Sequence, residues 1–386
     1  MKALNIFISA GDPSGEKHAA KLIGELRKLV GELNVRGIGG PAMAGAQAEL
    51  LCTVDKLAVM GVVEVIEHLG FFYRLLAEIR ADFERRRPDL LVLVDFPGFN
   101  MRLAKVAGKL GIPVLYYISP QIWAWRKGRK RTIARLADRM AVVFPFEVNL
   151  YKGEKLEVEF VGHPLTENLS PQLSREEFCR NYRLDPGKHI VGLMPGSRAQ
   201  ELARHLEIFL NAAARMAQAR RDLQFALGLL PHTKGALSEK ECRSLAGLEI
   251  CKIEDDSASL IAHSRLLVAK SGTTTMEAAL LGTPMIIAYR TSPLSYFLAR
   301  LLVRVGHIGM PNLLVQDPAI PELIQDEVTP ENLSRLALEL VEDSSPLRRR
   351  ILAQCASVRK ALATEKSASR RVAEIVVEMC EQRRGA

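Results

Sequence analysis

The chain has no long, uninterrupted apolar run. Its most hydrophobic stretch, Leu57 to Tyr73, is broken by Glu64, Glu67 and His68, whereas a spanning helix needs roughly 18 or more apolar residues in succession. Any membrane contact is therefore expected to be peripheral. Cysteine is sparse: Cys52, Cys179, Cys242, Cys251, Cys355 and Cys380 are scattered without a C-x-x-C pair. The chain is also too large to need stapling, so free thiols in a reducing cytoplasm are expected. The eight histidines are dispersed, no D-x-D occurs, and the one acidic cluster, Glu254-Asp255-Asp256 before Ser257, reads as a helix start. Metal-independent chemistry without a cofactor follows. No nucleophile-elbow pattern is found either.

What is present is ordinary for a globular protein. Of 386 residues, 48% are apolar and 25% charged, which argues against both disorder and a fibre, and the length exceeds one typical core. The net charge of +9 would suit nucleic acid, an anionic membrane or a phosphorylated substrate, without choosing among them. The opening Met1 to Ala10 is too short in its apolar part for a signal peptide and runs straight into Gly11-Asp12-Pro13-Ser14-Gly15, so a first strand is the better reading.

Short apolar runs then alternate with helical patterns. Asn5-Ile8, Val35-Ile38, Leu90-Val94, Pro113-Ile118, Arg139-Phe144 and Glu157-Val161 read as strands between helices at Glu16-Val30, Phe71-Arg87, Asn100-Leu110 and Lys127-Leu136. Continuous apolar strands are those covered on both faces, which predicts a parallel sheet between helices. The pattern stops near Gly162-His163-Pro164 and restarts with strands at Ile190-Met194, Gln224-Gly228, Leu248-Cys251, Leu266-Ala269 and Met285-Tyr289. The fold class is therefore α/β, with two tandem Rossmann-like domains, residues 1–165 and 166–345, and a basic helical tail over 346–386. The tail is expected to pack on the first domain or on a partner subunit, which leaves a homo-oligomer open.

Four strand-to-helix turns carry candidate chemistry. Gly196, Ser197 and Arg198 follow a buried strand and precede a helix, where backbone amides, the positive helix end and a planar cation suit a pyrophosphate. Ser271, Gly272 and Thr273 open a second such helix, with Glu277 further in to accept from ribose hydroxyls. Lys270-Ser271-Gly272-Thr273 lacks P-loop spacing and so lends nothing to an ATPase. Two anion-ready turns on one domain suggest a nucleotide diphosphate. In the first domain, the turn Gly11 to Glu16 lacks G-x-G-x-x-G and carries acids, which disfavours a dinucleotide and suits a hydroxylated sugar. Asp95, in Val94-Asp95-Phe96-Pro97-Gly98-Phe99-Asn100, stands at a strand end as a candidate base or as a simple turn former.

Both tryptophans, Trp123 and Trp125, adjoin a run with five bases between Arg126 and Arg131, a combination that fits nucleic acid, a sugar face or a lipid phosphate. No recognition module accompanies it, so nucleic acid is not the expected partner. The stretches Leu57-Val63 and Tyr296-Arg304, with Arg300 and Arg304, fit core helices or contact with an anionic leaflet.

Taken in order, these motifs resemble the lipid-A-disaccharide synthases. The resemblance rests on the acidic first turn, Leu57-Ala58-Val59-Met60-Gly61, Asp95-Phe96-Pro97, Ser119-Pro120 with Trp123-Ala124-Trp125-Arg126, Pro195-Gly196-Ser197-Arg198, Ser271-Gly272-Thr273 with Glu277, Tyr289-Arg290 and Pro311-Asn312-Leu313-Leu314. It implies a GT-B glycosyltransferase that takes 2,3-diacylglucosamine from its UDP conjugate in an inverting step. It further implies 2,3-diacylglucosamine 1-phosphate as the acceptor and a place at the cytoplasmic face of the inner membrane. By carry-over, Asp95 is the base, and Arg198, Ser197, Gly196, Ser271, Gly272, Thr273, Glu277 and Asn312 hold UDP. Asp12, Ser14, Glu16, Asn100, Trp123 and Arg126 are the candidate acceptor contacts. Gly98 stands where many relatives have a second Asp, which concentrates the base role on Asp95. Another UDP-sugar enzyme of the same architecture, such as an epimerase, is the rival reading.

Overall fold

The structure is a computed structural model that describes residues 3–58, 69–120, 122–123, 127–167, 169–229, 248, 250–302 and 306–384. It divides into two compact units, Met1–Glu167 with Leu362–Ala386, and Asn168–Ala361. The first holds a sheet of seven strands, β1 (Leu4–Ala10), β2 (Leu33–Gly39), β3 (Glu49–Thr53), β4 (Leu90–Val94), β5 (Val114–Tyr117), β6 (Arg139–Val142) and β7 (Glu157–Phe160), in the order β3-β2-β1-β4-β5-β6-β7. All described pairings are parallel.

The second unit repeats the scheme. Its strands are β8 (His189–Met194), β9 (Leu223–Leu229), β10 (Ile250–Glu254), β11 (Leu266–Lys270), β12 (Met285–Tyr289) and β13 (Glu322–Ile324), in the order β10-β9-β8-β11-β12-β13. In each sheet the strand order reverses beside the first strand, between β1 and β4 and between β8 and β11. That reversal opens a crevice beyond the carboxyl ends of the strands, the place where doubly wound sheets take ligands. The expected α/β class and paired Rossmann-like sheets are what the chain forms, with a helical C-terminal end.

The cause is legible strand by strand. Every residue of β4, Leu90 to Val94, is buried, as a strand covered by helices on both faces must be. The β1–β2 approach depends on Gly37, where an added Cβ would lie 1.8 Å from the Ile8 carbonyl oxygen. Two strands, β3 and β13, have no counterpart in the apolar runs. Both lie at sheet edges, five and three residues long, and are mostly half-exposed, so neither needs a continuous apolar sequence.

The helices that position the site are α1 (Pro13–Leu29), α2 (Pro97–Lys109), α3 (Pro145–Leu150), α4 (Ala199–Ala219) and α5 (Thr273–Leu281). At the C-terminal end, α6 (Pro346–Leu362) precedes α7 (Ala368–Arg384), and α7 packs on α1 in the first unit. Glu167 receives the Ser369 amide at 2.7 Å and its hydroxyl at 3.0 Å. Arg371 pairs with Glu159 and Glu378, and Arg139 reaches Glu378 at 2.7 Å. Beneath these polar contacts Val372, Ala373, Ile375 and Val376 are buried, and that apolar burial is the main force holding the helix.

Candidate active site

In the first unit, Asp95 follows β4 at the strand-order reversal. Its backbone is left-handed at φ 45°, and so is that of Phe96 at φ 46°. Each such residue costs about 1–3 kcal/mol and persists only where its surroundings hold it. They do so here. The Asp95 amide donates to the Tyr117 carbonyl at 3.0 Å. The Asp95 carbonyl accepts from the Tyr116 hydroxyl at 2.9 Å and the Asn100 amide at 2.8 Å. The Phe96 ring lies against Gly11, where a Cβ would come within 2.1 Å of it.

Burial pushes the Asp95 carboxyl up to about 6, and the charge of Asp12 adds to the rise, while the Phe96 amide opposes it. Ionisation in a partly desolvated, negatively charged place is unfavourable, which is how a carboxylate becomes a base near neutral pH. The cap of α2 is Phe96, not Asp95, so the Asp95 side chain is not occupied as a helix cap.

The acceptor candidates separate by what they already do. Asp12 caps α1 through its Oδ1, which accepts the Ser14 and Gly15 amides at 2.9 Å each. Ser14 is exposed, with its hydroxyl 3.3 Å from His18 Nε2. Glu16 is buried and accepts the Met43 amide at 3.1 Å. Asn100 is fully buried and spends its side chain on the fold, donating to Ser9, Val94 and Asp95 carbonyls and accepting from the Ser9 hydroxyl at 2.7 Å. Trp123 is buried edge-on against Phe146, with its indole nitrogen acting on the Glu147 carboxyl. Arg126 lies outside the described residues, as do Trp125, Arg304 and residues 59–63.

Sequence reasoning missed three titratable neighbours. Glu147, on α3, is buried and accepts the Phe144 amide at 3.1 Å. Burial pushes its carboxyl up to about 7, against the pull of the Phe144 amide and the Trp123 indole. His18 and His163 are each pushed down to about 4, chiefly by burial, with Lys21 next for His18 and His18 next for His163. Two of them had a sequence signal, position: His163 lies just past β7 and Glu147 just past β6, the same strand-end rule that singled out Asp95.

In the second unit the two anion-ready turns follow β8 and β11, adjacent strands at the reversal. Gly196 has φ 131°, and an added Cβ would lie 2.5 Å from the Glu201 Cβ. The Glu201 carboxylate accepts the Ser197 amide at 2.9 Å and the Arg198 amide at 3.4 Å. Those two amides, read from the sequence as phosphate donors, are therefore already engaged. The Arg198 side chain is exposed. Across the crevice, Gly272 and Thr273 are exposed at the start of α5, while Ser271 donates its hydroxyl to the Ile308 carbonyl at 3.1 Å. Glu277 is half-buried, its carboxyl is raised by burial, and it takes no hydrogen bond or ion pair among the described residues. Asn312 is buried and saturated: its amide donates to Ile320 and Glu322 and its oxygen accepts from Gln354 at 2.8 Å.

A cation, a helix start and an unpartnered carboxylate can hold a diphosphate joined to a hydroxylated ring. A model of the family described as lipid-A-disaccharide synthetase matches residues 6–378. The chain belongs to that family. It is 42% identical to the lipid-A-disaccharide synthase of Geobacter sulfurreducens over 377 residues, 97% of each chain. Family membership makes it a glycosyltransferase of lipid A biosynthesis. Solved structures agree on the fold: a putative UDP-N-acetylglucosamine 2-epimerase from Listeria monocytogenes aligns with TM-score 0.67 at 12% identity, covering 98% of both chains. The glycotransferase of kitacinnamycin aligns with TM-score 0.66 at 16% identity, over 98% of this chain and 100% of the other. An epimerase and a glycosyltransferase thus share the architecture, and the family match sets this chain with the synthases.

Proposed function

We propose that this chain transfers 2,3-diacylglucosamine from UDP-2,3-diacylglucosamine to the 6-hydroxyl of 2,3-diacylglucosamine 1-phosphate, giving lipid A disaccharide 1-phosphate and UDP. The observation that carries the mechanism is Asp95, a half-buried carboxyl on a left-handed backbone, raised to about 6 at the strand-order reversal of the first sheet. In a single displacement Asp95 takes the hydroxyl proton, the acceptor oxygen bonds to C1 of the donor sugar, and the C1–oxygen bond to the β-phosphate breaks. The α-linked donor gives a β-linked product and UDP leaves with the bonding pair.

On this reading the first unit takes the acceptor and the second holds UDP. Arg198, the Ser197 hydroxyl and the exposed Gly272–Thr273 start of α5 hold the diphosphate, with Gly196 and Ser271 shaping their turns. Glu277 accepts from ribose. Asn312, saturated by Ile320, Glu322 and Gln354, acts by fixing the wall of the nucleotide site. In the first unit Asp12 and Asn100 build the strand ends around Asp95, Trp123 is taken up by Phe146 and Glu147, and Ser14 is left to meet the acceptor.

The reaction itself is tested by UDP release from diacylated and unacylated donors. Release should require the acyl chains, and equal rates with both would favour a sugar transferase of another class. Glu277→Gln should weaken UDP several-fold while leaving pyrophosphate affinity unchanged, since only UDP has a ribose. Equal losses for both ligands would reduce Glu277 to a helix-start residue.

Access to lipid substrates fits peripheral contact with the inner membrane from the cytoplasmic side. Among the described residues no helix is long and apolar enough to cross a membrane. The helix Pro293–Leu302 exposes Phe297 and Leu301, 61% and 64% accessible and one turn apart, beside an exposed Arg300. Such a face suits an anionic leaflet. Flotation with anionic vesicles should occur at low salt and fall at high salt. Absence from the vesicles at both would remove the membrane assignment.

A further inference from the structure

The loops that follow β8, β11 and β12 are tied together by three side chains that no substrate role uses. The Glu201 carboxylate divides its work: Oε2 accepts the Ser197 and Arg198 amides, and Oε1 lies 2.8 Å from Lys270 Nζ. Lys270 is the last residue of β11, directly before Ser271, and its ammonium also stands 5.7 Å from the Tyr289 ring centroid on β12. The Glu201 and Lys270 side chains are only 17% and 18% exposed, so salt screens their attraction poorly. One turn along α4, fully buried His205 bridges in the other direction. Its Nε2 accepts the Arg290 amide at 2.9 Å, which leaves the proton on Nδ1 to donate to the Glu201 carbonyl at 2.8 Å.

We infer that Glu201, Lys270 and His205 are positioning residues that hold the three strand-end loops of the second sheet in fixed relation, so that Arg198 and the start of α5 meet a nucleoside diphosphate without reorganisation. The inference rests on the assignment of UDP to these two turns. Its physical basis is preorganisation: loops already fixed do not lose their freedom when the ligand arrives, so binding is tighter for the same contacts. Glu201 is suited to this because all its acceptor capacity on the turn side is used internally. Burial raises its carboxyl, but the Lys270 ammonium and the Ser197 amide outweigh that and hold it low. Burial likewise holds His205 below its usual range, in the neutral form that can accept the Arg290 amide.

The test is a double-mutant cycle read on UDP and on uridine, which has no phosphate. Glu201→Gln and Lys270→Met should each raise the Kd for UDP about tenfold, and the double mutant about as much as either alone, because one ion pair is broken once. Uridine affinity should not move. Additive losses in the cycle, no loss, or equal losses for uridine and UDP would overturn the inference. Should Glu201→Gln fail to fold, Lys270→Met carries the uridine–UDP contrast by itself, and His205→Gln, expected to weaken UDP in the same selective way, provides the second variant. Arg198→Ala is measured alongside. If it weakens UDP while the lock variants do not, the positioning role alone falls; if it too has no effect, the UDP assignment falls and takes the inference with it.

Discussion

Asp95→Asn should lower turnover by roughly 10²–10⁴, the usual contribution of a positioned proton acceptor, with UDP affinity nearly unchanged. The amide matches the carboxylate in shape and can keep the Phe96 amide contact, and the strained backbone is held through the Asp95 main chain by Tyr116, Tyr117 and Asn100. Loss of activity would therefore report loss of proton affinity. The parent should also show an acid limb. With the carboxyl raised to about 6, protonation below that value removes the base, so kcat/KM should fall about tenfold per pH unit below about 6 and level off above it. Asp95→Asn should lose that limb with the rate. Near-normal turnover, or an unchanged limb in the mutant, would sink the assignment. Attention would then move to Glu147, whose carboxyl is also raised, since Asp12 and Glu16 are taken up by the Ser14, Gly15 and Met43 amides.

Arg198→Ala should weaken UDP by about 1.5–3 kcal/mol, roughly 10- to 150-fold in Kd, the range for a charge-assisted contact. The structure makes this the larger of the diphosphate effects. Glu201 occupies the Ser197 and Arg198 amides, and Lys270 is committed to Glu201, so Arg198 carries the positive charge that this turn offers. A folded Arg198→Ala protein with unchanged UDP affinity and turnover would remove the turn from the nucleotide site. Loss of turnover with unchanged UDP affinity would instead assign Arg198 to the acceptor.

Much of the candidate site could be read from strand-end positions, because a buried parallel strand forces its next polar residue to the rim where ligands bind. That rule singled out Asp95, Arg198 and the Ser271 turn as candidates. It could not tell which strand-end groups were free to act. Asn100 and Asn312 looked like substrate contacts, yet both are buried and saturated by partners up to 91 and 42 residues away. His18, inside α1, gave no signal that set it apart from a surface charge.

The sequence alone determined the alternation of buried strands and helices, the two-sheet architecture and the family, because these depend on local periodicity and on short motifs carried by single turns. Tertiary structure alone decided the pairing of Glu201 with Lys270, the bridge from His205 to Arg290 and the raised carboxyls of Asp95 and Glu147. Each of these depends on burial and on contacts between segments distant along the chain. Desolvation and electrostatic coupling are set by distance in space, and a one-dimensional pattern does not contain that distance.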